Sequence, residues 1–204
     1  MFFIQIGIGD WTDFSMGAPD AGALKNVEKI MRDLPHDRLS LLFAHKRRNL
    51  IDGAVDGHGI YHVEGDDVEG KFVLFSDDIL GSGSTIFQAA EAAKKEGAKF
   101  VAAYCTHAFG FDERDENGVT RSFFDKLHGS SLDMLIVTNT RPQFQEEWAT
   151  YRREHPEQAQ SLGEKVRIMD IAPYLGEAIK RVGTGQTIRE LVREMGAGNL
   201  YRII

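Results

Sequence analysis

The run Phe72-Val73-Leu74-Phe75-Ser76 ends in Asp77-Asp78 and leads through the small-residue loop Gly81-Ser82-Gly83-Ser84-Thr85. Beyond the loop, Ile86, Ala89, Ala90 and Ala93 fall at i, i+3, i+4 and i+7. A buried strand that turns this quickly into an amphipathic helix leaves few architectures open, because the helix has to lie back across the strand it came from. Three more apolar runs, 39–44, 100–105 and 134–138, and a more alternating one at 166–170, are read as further strands. Continuous apolar runs suit strands covered on both faces, so the expectation is an α/β fold with a parallel, twisted sheet flanked by helices. Thr85 is placed to cap the helix and Gly97 to end it.

The chemistry of the loop follows from its residue types. Ionised Asp77 and Asp78 each accept hydrogen bonds from the two hydroxyls of a ribose. Gly81, Ser82, Gly83, Ser84 and Thr85 offer unobstructed N–H groups, hydroxyl donors and a helix start, which suit a phosphate. No Lys lies between Gly81 and Thr85, which excludes a Walker loop. The acids precede the glycines, which excludes a dinucleotide fingerprint. Ribose 5-phosphate or a derivative fits both halves; a plain solvated turn is the alternative.

Elsewhere, Leu24, Val27, Ile30 and Met31 form a helical stripe ahead of Pro35, and Pro173 opens another whose apolar face is Tyr174, Leu175, Ala178, Ile179 and Val182. Residues 49–70 read as a mobile loop carrying a short hairpin strand around Ile60. Residues 143–160 read as one charged amphipathic helix with Phe144, Trp148 and Tyr151 packing on their own domain, part of a helical insertion at about 141–164. The 204 residues fit a single domain. A net charge of −7 argues against nucleic-acid and anionic-membrane partners. Cys105, the single cysteine, reads as a core residue, and His58 with His62 lacks a third metal ligand. Without a signal-like start or an apolar span, the cytoplasm is the expected setting.

Taken in order, the motifs resemble the C-terminal half of ribose-phosphate pyrophosphokinase, or phosphoribosyl pyrophosphate (PRPP) synthetase, which has a type I phosphoribosyltransferase fold. The anchors are Pro19-Asp20-Ala21-Gly22, His45-Lys46-Arg47-Arg48, Gly65 to Lys71 and the 77–85 loop. Cys105-Thr106-His107, Ser131-Leu132-Asp133, Val137-Thr138-Asn139-Thr140, Asp170-Ile171-Ala172-Pro173 and Gly185-Gln186-Thr187-Ile188 follow. The resemblance spans about residues 16–192. This sequence departs from the family pattern at Gly81, Ser82 and Ala23, and has extra residues at 110–121 and 143–160 and after Met195.

The resemblance implies diphosphoryl transfer from Mg-ATP to ribose 5-phosphate in nucleotide biosynthesis, yielding PRPP. It assigns catalysis to Lys46 and Arg48, ribose binding to Asp77 and Asp78, and the 5-phosphate to residues 81–85. Diphosphate goes to Asp20, Ala21 and Gly22, and Mg2+ to Asp20 and Asp78. The family's N-terminal half supplies most of the ATP pocket, so an ATP-binding partner half is implied, as is a homo-oligomer. Taken alone, three consecutive basic residues also suit a solvated patch. Two alternatives stay open: a phosphoribosyltransferase that consumes PRPP, and a non-catalytic ribose-phosphate-binding regulatory relative.

Overall fold

The computed structural model describes residues 14–33, 40–48, 55–64, 67–114 and 117–191, with side chains at 33, 46–48, 55–58, 63 and 64 left out. In chain order the elements are β1 (Phe14–Ala18), α1 (Leu24–Asp33), β2 (Ser40–Arg48), β3 (Val55–Glu64), β4 (Phe72–Leu80) and α2 (Ser84–Lys95). There follow β5 (Phe100–Ala108), β6 (Glu113–Arg114), β7 (Thr120–Arg121), α3 (Phe123–Gly129) and β8 (Met134–Thr138). The last are α4 (Pro142–Glu154), α5 (Pro156–Lys165), β9 (Val166–Met169) and α6 (Ala172–Gly183).

Seven strands form one sheet in the order β3-β2-β1-β4-β5-β8-β9, parallel except for the antiparallel β2–β3 pair. The apolar runs form the interior of this sheet because both faces are covered. One face packs Val73, Phe75, Val101 and Leu135 against the alanine stripe of α2 and the aromatic residues of α3 and α4. The other packs Met16, Leu74 and Ile136 with Val27 of α1.

The chain leaves β1 to one side through β2 and β3, and crosses back to place β4 on the other. The crevice between β1 and β4 is therefore the point where strand order reverses, the usual location of ligands in such sheets. Pairing along β1 ends at Gly17↔Phe75 and Ala18↔Phe43. Residues 76–80 of β4 and 44–48 of β2 thus extend past β1 at the same carboxyl edge.

Several expectations need correcting. β1 has no counterpart among the predicted strands. Region 49–70 holds a full sheet member: in β3, Ile60 is buried and Tyr61 exposed, and Glu96 at the end of α2 accepts the Ile60 N–H (3.3 Å) and contacts His62 Nε2 (3.3 Å). Residues 143–160 lie in two helices, because the backbone leaves helical geometry at His155 (φ −129°, ψ 64°) just before Pro156. Phe144, Trp148 and Tyr151 are buried and pack on Phe124. Thr85 is not a cap: Gly83 takes the N-cap position at φ 82° without a side-chain cap, and Thr85 is exposed. The stripe of α6 does not enter the core; Leu175, Ile179 and Val182 are exposed, Ile179 by 72%. Cys105 is fully buried, and burial, followed by the charges of Asp77 and Asp78, pushes its thiol pKa up.

Gly17 in β1 is a close-approach position. A Cβ there would stand 2.6 Å from Phe75 and 2.9 Å from Leu42, both fully buried. Gly17→Ala is expected to destabilise the fold by about 1–3 kcal/mol, as overpacking does. Denaturant melts check this; an unchanged midpoint contradicts it.

Candidate functional site

At the β1–β4 crevice, strand overshoot exposes side chains that would otherwise be paired over. Asp77 is half-buried and Asp78 exposed. Asp77 Oδ1 accepts the Asp78 N–H at 2.9 Å. Burial pushes the Asp77 carboxyl up to about 6, and the negative charges of Asp78 and Asp20 act in the same direction. Asp20 lies just past β1, and its charge is the smallest of these influences. Neither Asp77 nor Asp78 points into the core.

The loop after β4 lines a cavity of about 240 Å3 together with Asp77, Ile79, Leu80 and Ile86. Its lining contains Gly81, Ser82, Gly83, Ser84 and Thr85. The first N–H groups of α2 have no intrahelical acceptor, and no side chain caps them at Gly83. Backbone donors, hydroxyls and the Asp77 carboxylate thus meet in one concavity. Anion binding at one end and hydroxyl binding at the other is the chemistry this arrangement supports.

The Asp20 turn is more self-contained than expected. Asp20 Oδ1 accepts the N–H of Gly22 (2.8 Å) and Ala23 (3.1 Å), so the Gly22 N–H expected to face a diphosphate already has an acceptor. Ala21 is exposed. Lys46 and Arg48 lie in β2, opposite His58 and Val55 of β3, on the stretch that extends past β1. Their side chains fall outside the described residues. Among the described residues no group of three or more His, Cys, Asp or Glu side chains gathers as a metal cage. Magnesium does not need one: it is commonly held by one or two carboxylates, with water and phosphate oxygens completing its shell. The hard oxygens of Asp20 and Asp78 fit that use.

Two site residues escaped the sequence reading. Ser84 Oγ donates to Glu113 Oε1 and Oε2 (3.0 and 2.9 Å), and Lys126 Nζ donates to Ser82 O (2.8 Å) and Glu113 Oε2 (3.0 Å). Both bond to loop residues that stand 29 and 44 positions away in sequence. Neither belongs to a local motif, so no sequence signal could have found them.

Several other ordered motifs fasten strand ends. Asp133 Oδ2 accepts the Val101 N–H and pairs with Lys94, both at 2.7 Å. The hydroxyls of Thr138 and Thr140 donate to Thr106 O (2.6 and 2.8 Å). Asn139 bridges Asp170 (2.6 Å) and the Ile171 N–H (3.1 Å).

A family model described as the phosphoribosyl synthetase-associated domain matches residues 59–193. The chain belongs to that family. A ribose-phosphate pyrophosphokinase of Campylobacter jejuni is 27% identical over 176 residues, covering 86% of this chain and 46% of the relative. One from Schizosaccharomyces pombe is 28% identical over 188 residues, covering 91% and 45%. The crystal structure of phosphoribosylpyrophosphate synthetase from Mycobacterium smegmatis aligns with a TM-score of 0.61 at 25% identity, covering 90% of this chain and 49% of that one. The chain therefore spans about half the length of the curated relatives it matches, and it shares the fold of that crystal structure.

Proposed function

We propose that this chain is the ribose-phosphate-binding half of a ribose-phosphate pyrophosphokinase, acting in nucleotide biosynthesis in the cytoplasm. In this reading the diphosphoryl group of ATP passes to the 1-hydroxyl of ribose 5-phosphate, giving PRPP and AMP. The observation that carries it is the cavity at the carboxyl end of β4, lined by Asp77 and the loop of residues 81–85, with the exposed Asp78 next to it in the chain. The carboxylates hold the pentose by its vicinal hydroxyls, and the loop N–H groups and hydroxyls take the 5-phosphate. Lys46 and Arg48, as a mobile point charge and a planar fork, offset charge spreading over the transferred phosphorus. Magnesium held by Asp20 and Asp78 would neutralise phosphate oxygens there.

A second polypeptide half would supply most of the ATP pocket. Self-association is supported by the exposed apolar residues of α6. No helix among the described residues is long and apolar enough to cross a membrane. A non-catalytic ribose-phosphate binder is the second reading, which the departures from the family loop at Gly81 and Ser82 favour.

Incubating the chain with ribose 5-phosphate and Mg-ATP, alone and with the N-terminal half of a pyrophosphokinase, tests the activity. The expected result is AMP release in the complemented mixture, lowered by about 10²–10³ in Lys46→Ala. Binding of ribose 5-phosphate with no AMP in either mixture would favour the non-catalytic reading. A Lys46→Ala effect below threefold would remove the role given to that residue.

A further inference from the structure

The segment after β5 folds along the phosphate loop instead of away from it. The N–H groups of Phe109 and Gly110 donate to Leu80 O (2.8 and 3.4 Å), and that of Phe111 to Gly81 O (3.2 Å). Asp112 is fixed by accepting the Phe123 N–H at the start of α3 (2.9 Å). These bonds deliver the next residue, Glu113, onto the loop. Both its oxygens accept from Ser84 Oγ, and the Ser82 and Ser84 hydroxyls stand 3.2 Å apart. Bonds from Ser82, Lys126 and Ser84 hold the Glu113 carboxyl below its usual range, so the anion persists at neutral pH.

We propose that Glu113 is a built-in competitor for the Ser84 hydroxyl of the phosphate loop, an intramolecular carboxylate that an incoming phosphomonoester must displace. The proposal rests on the reading of the loop as the seat of a sugar phosphate. Its physical basis is exclusion. A serine hydroxyl has one proton, so Ser84 cannot donate fully to Glu113 and to a phosphate oxygen at once. Two anions sharing one small polar site also repel.

The surroundings decide which group leaves. Glu113 is carried by the two-residue strand β6, paired only to the equally short β7, and its side chain is 45% exposed. Lys126 sits on α3 with its side chain 14% exposed, anchored to Ser82 O. The acid is on the loosely held element and the base on the packed one. When Glu113 swings out, Lys126 remains beside the loop and becomes the cation for the phosphate. A ligand lacking a phosphate has no group to exchange for the carboxylate and leaves the contact intact.

Calorimetric titration of ribose 5-phosphate and, separately, of ribose into the full chain tests this with the wild type, Glu113→Gln, Glu113→Ala and Lys126→Met. Both Glu113 variants are expected to bind ribose 5-phosphate about tenfold more tightly than wild type, the scale of removing one like charge from a partly exposed site. Ribose binding should be the same in all four proteins. Lys126→Met should bind ribose 5-phosphate about tenfold more weakly. If wild type binds and the Glu113 variants bind equally or more weakly, Glu113 supports the ligand and the proposal is overturned, with the loop reading intact. If no protein of the set binds ribose 5-phosphate, the loop reading itself fails, and this inference with it.

Discussion

Replacing Asp77 and Asp78 together by Asn is expected to abolish ribose 5-phosphate binding while the chain stays folded. Each carboxylate contributes charge-assisted hydrogen bonds worth about 1.5–3 kcal/mol, so losing both should weaken binding by at least about a hundredfold. Neither side chain is part of the core, so circular dichroism and melting behaviour should remain those of a folded protein. The single variant Asp77→Asn carries a further signature. The Asp77 carboxyl, raised from an ordinary 3.8 to about 6, holds its proton more tightly in the folded state than in the unfolded chain. Stability therefore falls as pH rises from about 4 to about 6, and above that range the ionised group is a full liability. Asparagine removes it. Water screens part of the effect at this half-exposed position, leaving an expected gain of about 1–2 kcal/mol at pH 7 that vanishes below pH 4. Denaturant melts of the metal-free proteins at both pH values check the sign, and a variant less stable than wild type at pH 7 contradicts it.

Gly83→Ala is expected to damage both the loop and the fold. Gly83 adopts φ 82°, where an L-residue is strained by about 1–2 kcal/mol. A Cβ there would stand 2.5 Å from the Phe87 ring and 3.0 Å from Phe123, which is fully buried. Overpacking of that kind adds about 1–3 kcal/mol, for a total near 2–5 kcal/mol. Because Gly83 is also the N-cap of α2, any relief moves the first N–H groups of the helix, so affinity for ribose 5-phosphate should fall as well. Gly81 provides the contrast: its φ is not positive and a Cβ would meet nothing within 4 Å, so Gly81→Ala should leave stability within about 0.5 kcal/mol of wild type. Chemical denaturation of the two variants side by side decides the point, and equal midpoints would contradict it.

These contrasts explain what was legible in the chain. The unit from Phe72 through the alanine stripe could be read because one strand, one turn and one helix impose three successive periodicities on adjacent residues. β1 could not, although it is central: five residues containing Gly17 and Ser15 carry little apolar signal, and Gly17 is there because Phe75 and Leu42 leave no room for more. In sequence β3 resembles a short strand in a mobile loop because its glycines mask the alternation that Ile60 and Tyr61 show in place. The break between α4 and α5 sits at Pro156, a residue that also tolerates a first helical turn, so the sequence alone permitted one helix.

At the site, the adjacent acids and the small-residue loop were visible because they are contiguous. Glu113 and Lys126 were not, since only the path of residues 109–112 along Leu80 and Gly81 brings them there. Asp133, Thr138, Asn139 and Asp170 belong to an ordered motif set, and their bonds tie β5, β8 and β9 at their ends. Motif order thus identified a family without separating residues that hold the sheet from residues that face the crevice.

In the proposed function, the crevice holds a pentose through Asp77 and Asp78 and its phosphorylated end through the loop. Titration calorimetry of the wild-type chain in magnesium, with ribose 5-phosphate, ribose and inorganic phosphate as separate ligands, tests it most directly. Saturable binding of ribose 5-phosphate, with ribose and phosphate each at least about a hundredfold weaker, is the predicted result. Binding of ribose 5-phosphate no tighter than either fragment, or no heat at all, would contradict it.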